Sequence, residues 1–340
     1  MSPVASMLDT AMLVALHLYL KQCPPLPNPH KFSYPQPPHF QSEVVIMPQA
    51  KPKPSEIAAE AKKTYIPYIQ RRMPEYPARS ILVSDSSEIP IRVDAKSRHR
   101  LRVAVIDGDP VDVALDWDLY SRQNGTVSSS APPIPVVNMA NEKRAGGDWE
   151  SGLLAPEECF ARRSNLVHSL VTPWSAYSGT SSHYPVPQTG GMYSPSVVVF
   201  RDGPDSYQVW REFRPLPVIS VAPVRRPKLD ESGQRYSFEQ ERELMLEKMR
   251  TVLRIAFAWG HRNICLGAFG VGPIFRNPAA EVAKMWKMLL FQEKEFQGAF
   301  HNVVFAVETN QPGNTKGGPT EYEIFRREFD PSNVFRTAYR

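Results

Sequence analysis

Short apolar runs rich in β-branched residues recur along most of the chain, and they constrain its fold more than any other feature. They are Val103-Ala104-Val105-Ile106, Pro135-Val136-Val137, Val197-Val198-Val199-Phe200, Val218-Ile219-Ser220-Val221, Ile264-Cys265-Leu266 and Val303-Val304-Phe305-Ala306-Val307. Each is short for a helix and lacks polar alternation, the pattern of a strand covered on both faces. Between the later runs the period changes to that of a helix. Met245, Met249, Val252, Leu253 and Ala256 share one face, as do Val282, Met285, Trp286 and Leu289. A further helical stretch, Ile57 to Arg72, places Ile57, Ala61, Tyr65 and Tyr68 together. This alternation predicts a three-layer α/β/α domain around a central mixed, largely parallel sheet.

Proline divides the chain. Of 34 prolines in 340 residues, 11 fall in the first 54, where they favour extended backbone that cannot join a ladder. Residues 1–53 therefore read as a Pro-rich N-terminal extension, with one short helix expected near Met7 to Lys21. Residues 54–340 read as one α/β domain carrying long loops near 121–133, 173–195 and 222–236. A formal net charge of +5 does not mark a dedicated nucleic-acid binder. Cys23, Cys159 and Cys265 are too scattered for a disulfide framework or a zinc site, so a reducing, intracellular setting and no metal are expected. The longest apolar run, Ala11 to Leu20, is too short to span a membrane.

One segment concentrates chemistry. Pro135-Val136-Val137 runs into Asn138-Met139-Ala140-Asn141, then Gly146-Gly147-Asp148, then Pro156-Glu157-Glu158. Pro156 suits the first position of a helix, which puts both glutamates in its first turn. Taken alone, such an acid pair commonly does no more than complement the helix dipole. Beside a glycine loop at a strand end, however, it is placed to act on a nucleotide sugar. A second cluster, Gly267-Ala268-Phe269-Gly270-Val271-Gly272-Pro273-Ile274-Phe275, also lies between an apolar run and a helix. It suits a diphosphate cradle or a tight structural turn.

These residues together resemble the microbial-type poly(ADP-ribose) glycohydrolases, whose catalytic domain is a macrodomain variant. The resemblance covers roughly residues 55–310. It implies a hydrolase that cleaves ribose–ribose O-glycosidic bonds without a cofactor, acting on poly(ADP-ribose) or ADP-ribosylated proteins. Glu158 would be catalytic and Glu157 would hold the adjoining ribose. Asn141, Gly146 and Gly147 would lie against the distal ribose and diphosphate, and Asp109 would take the adenine amino group. Gly270, Val271, Gly272 and Ile274 would line the diphosphate, and Phe275 would pack against the distal ribose. The same resemblance implies a monomeric nuclear or cytoplasmic protein that reverses ADP-ribosylation, including in the DNA damage response, with no DNA sequence recognition and no membrane.

Two positions depart from the family pattern: Asp148 stands where a third glycine is usual, and Pro156 where a glutamine is usual. They leave a non-catalytic ADP-ribose-binding module open as an alternative, beside a hydrolase of mono-ADP-ribosylated protein and a Pro-rich interaction protein. His168 and Cys159 read as packing residues, and His183 and Tyr184 as loop residues, Tyr184 with the option of closing over a ligand. Lys96 to Arg100 and Arg225-Arg226-Pro227-Lys228 read as solvated loop charge by default, with a polyanionic polymer contact or a nuclear import signal as the alternatives.

Overall fold

The computed structural model describes residues 52–93, 100–128, 130–174, 182–309 and 318–334. The extension through residue 51, with its expected helix, lies outside them, as do residues 96–99 of the first basic stretch. The fold opens with α1 (Pro54–Glu60), a π-helical turn (Ala61–Tyr65) and α2 (Ile66–Arg72). Because the π-turn advances the face, Ile57, Ala61 and Ile69 are buried while Tyr65 and Tyr68 are only half-buried.

In chain order there follow β1 (Ile81–Val83), β2 (Arg102–Ile106), α3 (Pro110–Gln123), β3 (Val136–Met139), α4 (Pro156–Arg163) and α5 (Leu166–Leu170). Next come β4 (Gly191–Arg201), β5 (Val209–Val221), α6 (Glu239–Ala258), β6 (Asn263–Leu266), α7 (Ala279–Phe291), β7 (Asn302–Ala306) and α8 (Glu321–Glu328). Two boundaries differ from the sequence expectation. The loop expected over 173–195 gives way to β4 at Gly191, and β5 begins well before its apolar run at Val218.

The strands form one sheet in the order β1-β4-β5-β3-β6-β7-β2. Strands β5, β3, β6, β7 and β2 run parallel, while β4 is antiparallel to both β5 and β1. The sheet is mixed and largely parallel, as expected. Helices cover both faces of the central strands because alternate strand residues point to opposite sides; β2, expected from its apolar run to be covered on both faces, is instead an edge strand that exposes Ala104 and Ile106. Val303 and Phe305 pack under α6, α7 and α8 with Met249, Trp286 and Phe325. Val304 and Ala306 pack under α3, α4 and α5 with Leu115, Phe160 and Leu170. α1 and α2 add a smaller cluster against Val198 and Phe200.

The helix that starts at Pro156 ends at Arg163, and a second begins at Leu166. Ser164 is extended, with φ −149° and ψ 175°, and bridges to Val199. Asn165 Oδ1 accepts from the Val198 N–H at 2.7 Å, and Ser164 Oγ accepts from the Leu166 N–H at 3.2 Å, starting α5. Short polar side chains here compete with the helical ladder, and the result staples the end of α4 onto β4. His168 therefore sits on a separate helix from the acids.

Because β2, β3 and β6 are parallel, their C-terminal ends open on the same side of the sheet, where ligands bind in α/β folds. Trp286 is fully buried, 6.0 Å from Phe269 and 6.1 Å from Phe305 between ring centroids, and so links α7 to the loop after β6 and to β7. Trp286→Ala is expected to cost about 3–5 kcal/mol, measured by urea denaturation of the full chain.

Candidate active site

Glu157 and Glu158 are 4% and 6% exposed although they occupy the first turn of α4, because the 141–155 loop folds over them. Glu157 uses both carboxylate oxygens inside the protein. Its Oε1 accepts from Asn138 Nδ2 at 3.3 Å and from the Gly146 N–H at 3.2 Å, and its Oε2 from the Asn141 N–H at 2.7 Å. Asn138 is oriented by a second bond, from Nδ2 to Ser220 Oγ on β5 at 3.1 Å. Burial pushes the Glu157 carboxyl up to about 8, against the three donors and with the nearby Glu158 adding to the rise.

Glu158 is held differently. Its Oε1 accepts from the Asp148 N–H at 3.1 Å, while Oε2 has no hydrogen bond among the described residues. One oxygen is anchored and the other is available for chemistry. The acids converge on Gly147, whose φ is +54°. A Cβ at Gly147 would lie 2.3 Å from Glu158 Oε1 and 3.4 Å from Glu157 Oε2, so only glycine fits between them.

The departures from the family pattern resolve structurally. The Asp148 carboxylate turns away from the acids and pairs with Arg144, so its backbone serves Glu158 while its charge is neutralised outside. Pro156 is exposed at the first helical position, where no N–H is needed. Asn141 keeps its backbone on Glu157, and its Oδ1 accepts from the N–H groups of Lys143 at 2.9 Å and Arg144 at 3.3 Å, shaping the turn that leads to Gly146.

Asp109 does more structural work than the sequence indicated. It caps α3, Oδ1 accepting from Val111 N–H at 2.8 Å and Asp112 N–H at 3.1 Å. The same oxygen takes Arg163 Nη1 at 2.9 Å, and the second guanidinium nitrogen pairs with Asp112. Any ligand contact is left to Oδ2. The signal was present in Asp109-Pro110, a cap followed by proline at the first helical position. Arg163, only 1% exposed, also donates from Nε to the Arg201 carbonyl at 3.1 Å. It ties the acid helix to the start of α3, a role that its place in the Arg162-Arg163-Ser164-Asn165-Leu166 run after the acids did not reveal.

In the loop after β6, the Gly270 N–H points inward to Met139 Sδ at 3.0 Å and the Val271 N–H to the Ala268 carbonyl at 2.9 Å. Neither offers its N–H to a ligand, which narrows the expected cradle. The N–H groups of Gly272, Ile274 and Phe275 have no acceptor among the described residues. A Cβ on Gly270, at φ +74°, would meet Met245, Asn277 and Pro223 within 3 Å, so glycine is required there for packing. Phe275 is buried and Ile274 half-buried.

Tyr184 is a further site residue. Its hydroxyl is buried without a partner among the described residues, and burial, with the nearby Glu157 charge, pushes its phenol far up. His183 instead bonds Ser80 Oγ through Nδ1 at 3.0 Å. Among the described residues no group of His, Cys, Asp and Glu is placed to hold a metal ion, and no helix is long and apolar enough to cross a membrane.

A buried acid pair and the loop after β6 meet at the C-terminal ends of the central strands of a three-layer α/β sandwich, linked through Gly270 and Met139, and define a macrodomain-like site. Residues 84–202 match the family described as microbial-type PARG, catalytic domain. The fold is similar to that of poly(ADP-ribose) glycohydrolase from Thermomonospora curvata, with a TM-score of 0.61, 24% identity, and coverage of 81% of this chain and 99% of that one. It is also similar to the Deinococcus radiodurans poly(ADP-ribose) glycohydrolase in complex with ADP-ribose, with a TM-score of 0.55, 27% identity, and coverage of 75% and 96%. The comparison with curated proteins returns no match.

Two outcomes follow from the geometry. Gly147→Ala is expected to remove ADP-ribose release, because the added methyl displaces the Glu158 carboxylate, while the far-ultraviolet circular dichroism keeps its α/β shape. For Glu157, the folded value near 8 lies above the ordinary 4.5, so between those pH values the folded state binds the extra proton and stability falls as pH rises. Thermal midpoints measured across that window are expected to decline in the wild type and to decline less steeply in Glu157→Gln.

Proposed function

We propose that the protein is a poly(ADP-ribose) glycohydrolase in which Glu158 is the general acid and base. The observation that carries this reading is the asymmetry of the acid pair: Glu157 has every oxygen engaged, while Glu158 keeps one oxygen unbonded beside the glycine turn. The match over residues 84–202 and the likeness to a glycohydrolase that binds ADP-ribose supply the substrate class.

The terminal ADP-ribose unit lies across the C-terminal ends of the central strands. The free N–H groups of Gly272, Ile274 and Phe275 face its diphosphate, where backbone donors suit an anion. Asp109 Oδ2 meets the adenine amino group, and Phe275 packs against the distal ribose. Cleavage of the ribose–ribose bond passes through an oxocarbenium-like state and needs a proton on the departing oxygen. Glu158 delivers that proton and then takes one from the attacking water, while Asn141 holds the ribose through Nδ2 and Glu157 keeps Glu158 in place. The outward turn of Asp148 removes the charge conflict that would favour a binding-only module.

The enzyme acts as a monomer without a cofactor, in the nucleus or cytoplasm, where it reverses ADP-ribosylation, including after DNA damage. The free, buried thiols of Cys159 and Cys265 suit a reducing compartment.

Glu158→Gln keeps the shape of the side chain and removes its proton. It is expected to lower release of ADP-ribose from the polymer by about 100-fold or more, measured by chromatography of the product. Isothermal titration should show ADP-ribose affinity within a few-fold of wild type. Release at the wild-type rate would remove Glu158 from the chemistry.

A further inference from the structure

Arg225, Arg226 and Lys228 lie on the segment leaving β5, far in sequence from Arg276, yet the fold brings them to one place. The Arg226 N–H donates to the Phe275 carbonyl at 2.6 Å, and Arg276 follows Phe275 directly. Arg226 and Arg276 both hold left-handed backbone, with φ of 54° and 63°. All four residues are exposed. No carboxylate pairs with their side chains among the described residues, whereas Arg163, Arg214, Arg250 and Arg254 each have one.

The acids nearby are engaged elsewhere: Glu241 Oε2 accepts from the Lys228 N–H at 2.9 Å, and Asp230 Oδ1 accepts from Ser232 and from the 234–235 backbone. Beside the cations stands an aromatic ring. Lys228 Nζ lies 5.5 Å from the centroid of Phe238, which is 48% exposed.

Unneutralised cations next to an exposed ring suit a single-stranded polyanion that carries bases, the cations taking phosphates and the ring stacking on a base. Every unit of poly(ADP-ribose) has both a diphosphate and an adenine. The cluster begins at Phe275, the end of the amide-lined loop, and so continues that pocket outward. We propose that Arg225, Arg226, Lys228 and Arg276, with Phe238, form an outer subsite for the unit of polymer adjoining the one in the pocket. This rests on the reading of the pocket as a poly(ADP-ribose) site.

The test compares binding of ADP-ribose and of long, protein-free polymer to Glu158→Gln and to the same variant carrying Arg225→Gln, Arg226→Gln and Lys228→Gln, across a range of salt. ADP-ribose affinity is expected to change by less than about twofold, while polymer affinity falls about tenfold. The salt dependence of polymer binding should become shallower by about 2 in log–log slope, at roughly 0.7 per cation removed. Phe238→Ala should likewise weaken only the polymer. The proposal is overturned if polymer affinity is unchanged, or if both ligands lose affinity together. It is also overturned if single-stranded RNA of matched charge binds the parent as tightly as the polymer and suffers the same loss. Absence of ADP-ribose binding in the parent would instead refute the reading of the pocket, and the polymer arm would still report on the cluster.

Discussion

The Glu157 carboxylate is the interaction on which the site depends. A carboxylate buried to this extent costs several kcal/mol unless hydrogen bonds replace the water it loses. Here the replacements come from a strand side chain, Asn138, and from the backbone of Asn141 and Gly146. Satisfying one acid therefore fixes the end of β3, the glycine turn and the first turn of α4 relative to one another. Glu158 inherits that rigidity: one oxygen rests on the Asp148 N–H and the other stays unbonded. Two buried acids sit side by side, distinguished by how many donors each has.

The surrounding loops are tied to this centre by contacts between distant segments. Arg163 carries the end of the acid helix onto Asp109 and Asp112. Met139, at the end of β3, accepts the Gly270 N–H and so links the two glycine-containing loops. The break at Ser164–Asn165 anchors the far end of α4 to β4. Each of these bonds removes a freedom from a loop that must present donors at a set distance from the acids, and such preorganisation is what lets backbone amides stabilise charge without reorganising.

Much of this was legible in the residues. Strands β3, β6 and β7 were visible as apolar runs because a strand buried on both faces needs apolar residues at every position; β2 shows the same apolar run but lies at the sheet edge with Ala104 and Ile106 exposed. Helices α6 and α7 were visible through their single apolar face. Helix α3 was not, because its capping residue Asp109 stood out first as a ligand contact, although the Asp-Pro pair announces a helix start. The π-turn at Ala61–Tyr65 and the break at Ser164 were also missed, since each depends on what the segment packs against. In the site, the acid pair and glycine turn could be read from order and spacing, whereas the parts played by Asn138 and Arg163 could not, and Tyr184 was read only as a loop residue able to close over a ligand.

By itself the sequence determined a largely parallel α/β sandwich, an acid pair at a helix start and a glycine pair ahead of it, because these follow from local periodicity, capping and residue order; that the glycines make room for the acids came only with the fold. Only the tertiary structure decided which glutamate is saturated and which keeps a free oxygen, which amides of the second loop face outward, and which way Asp148 points. Those outcomes rest on hydrogen bonds between residues far apart in the chain, and no local pattern encodes which donor a buried carboxylate will find.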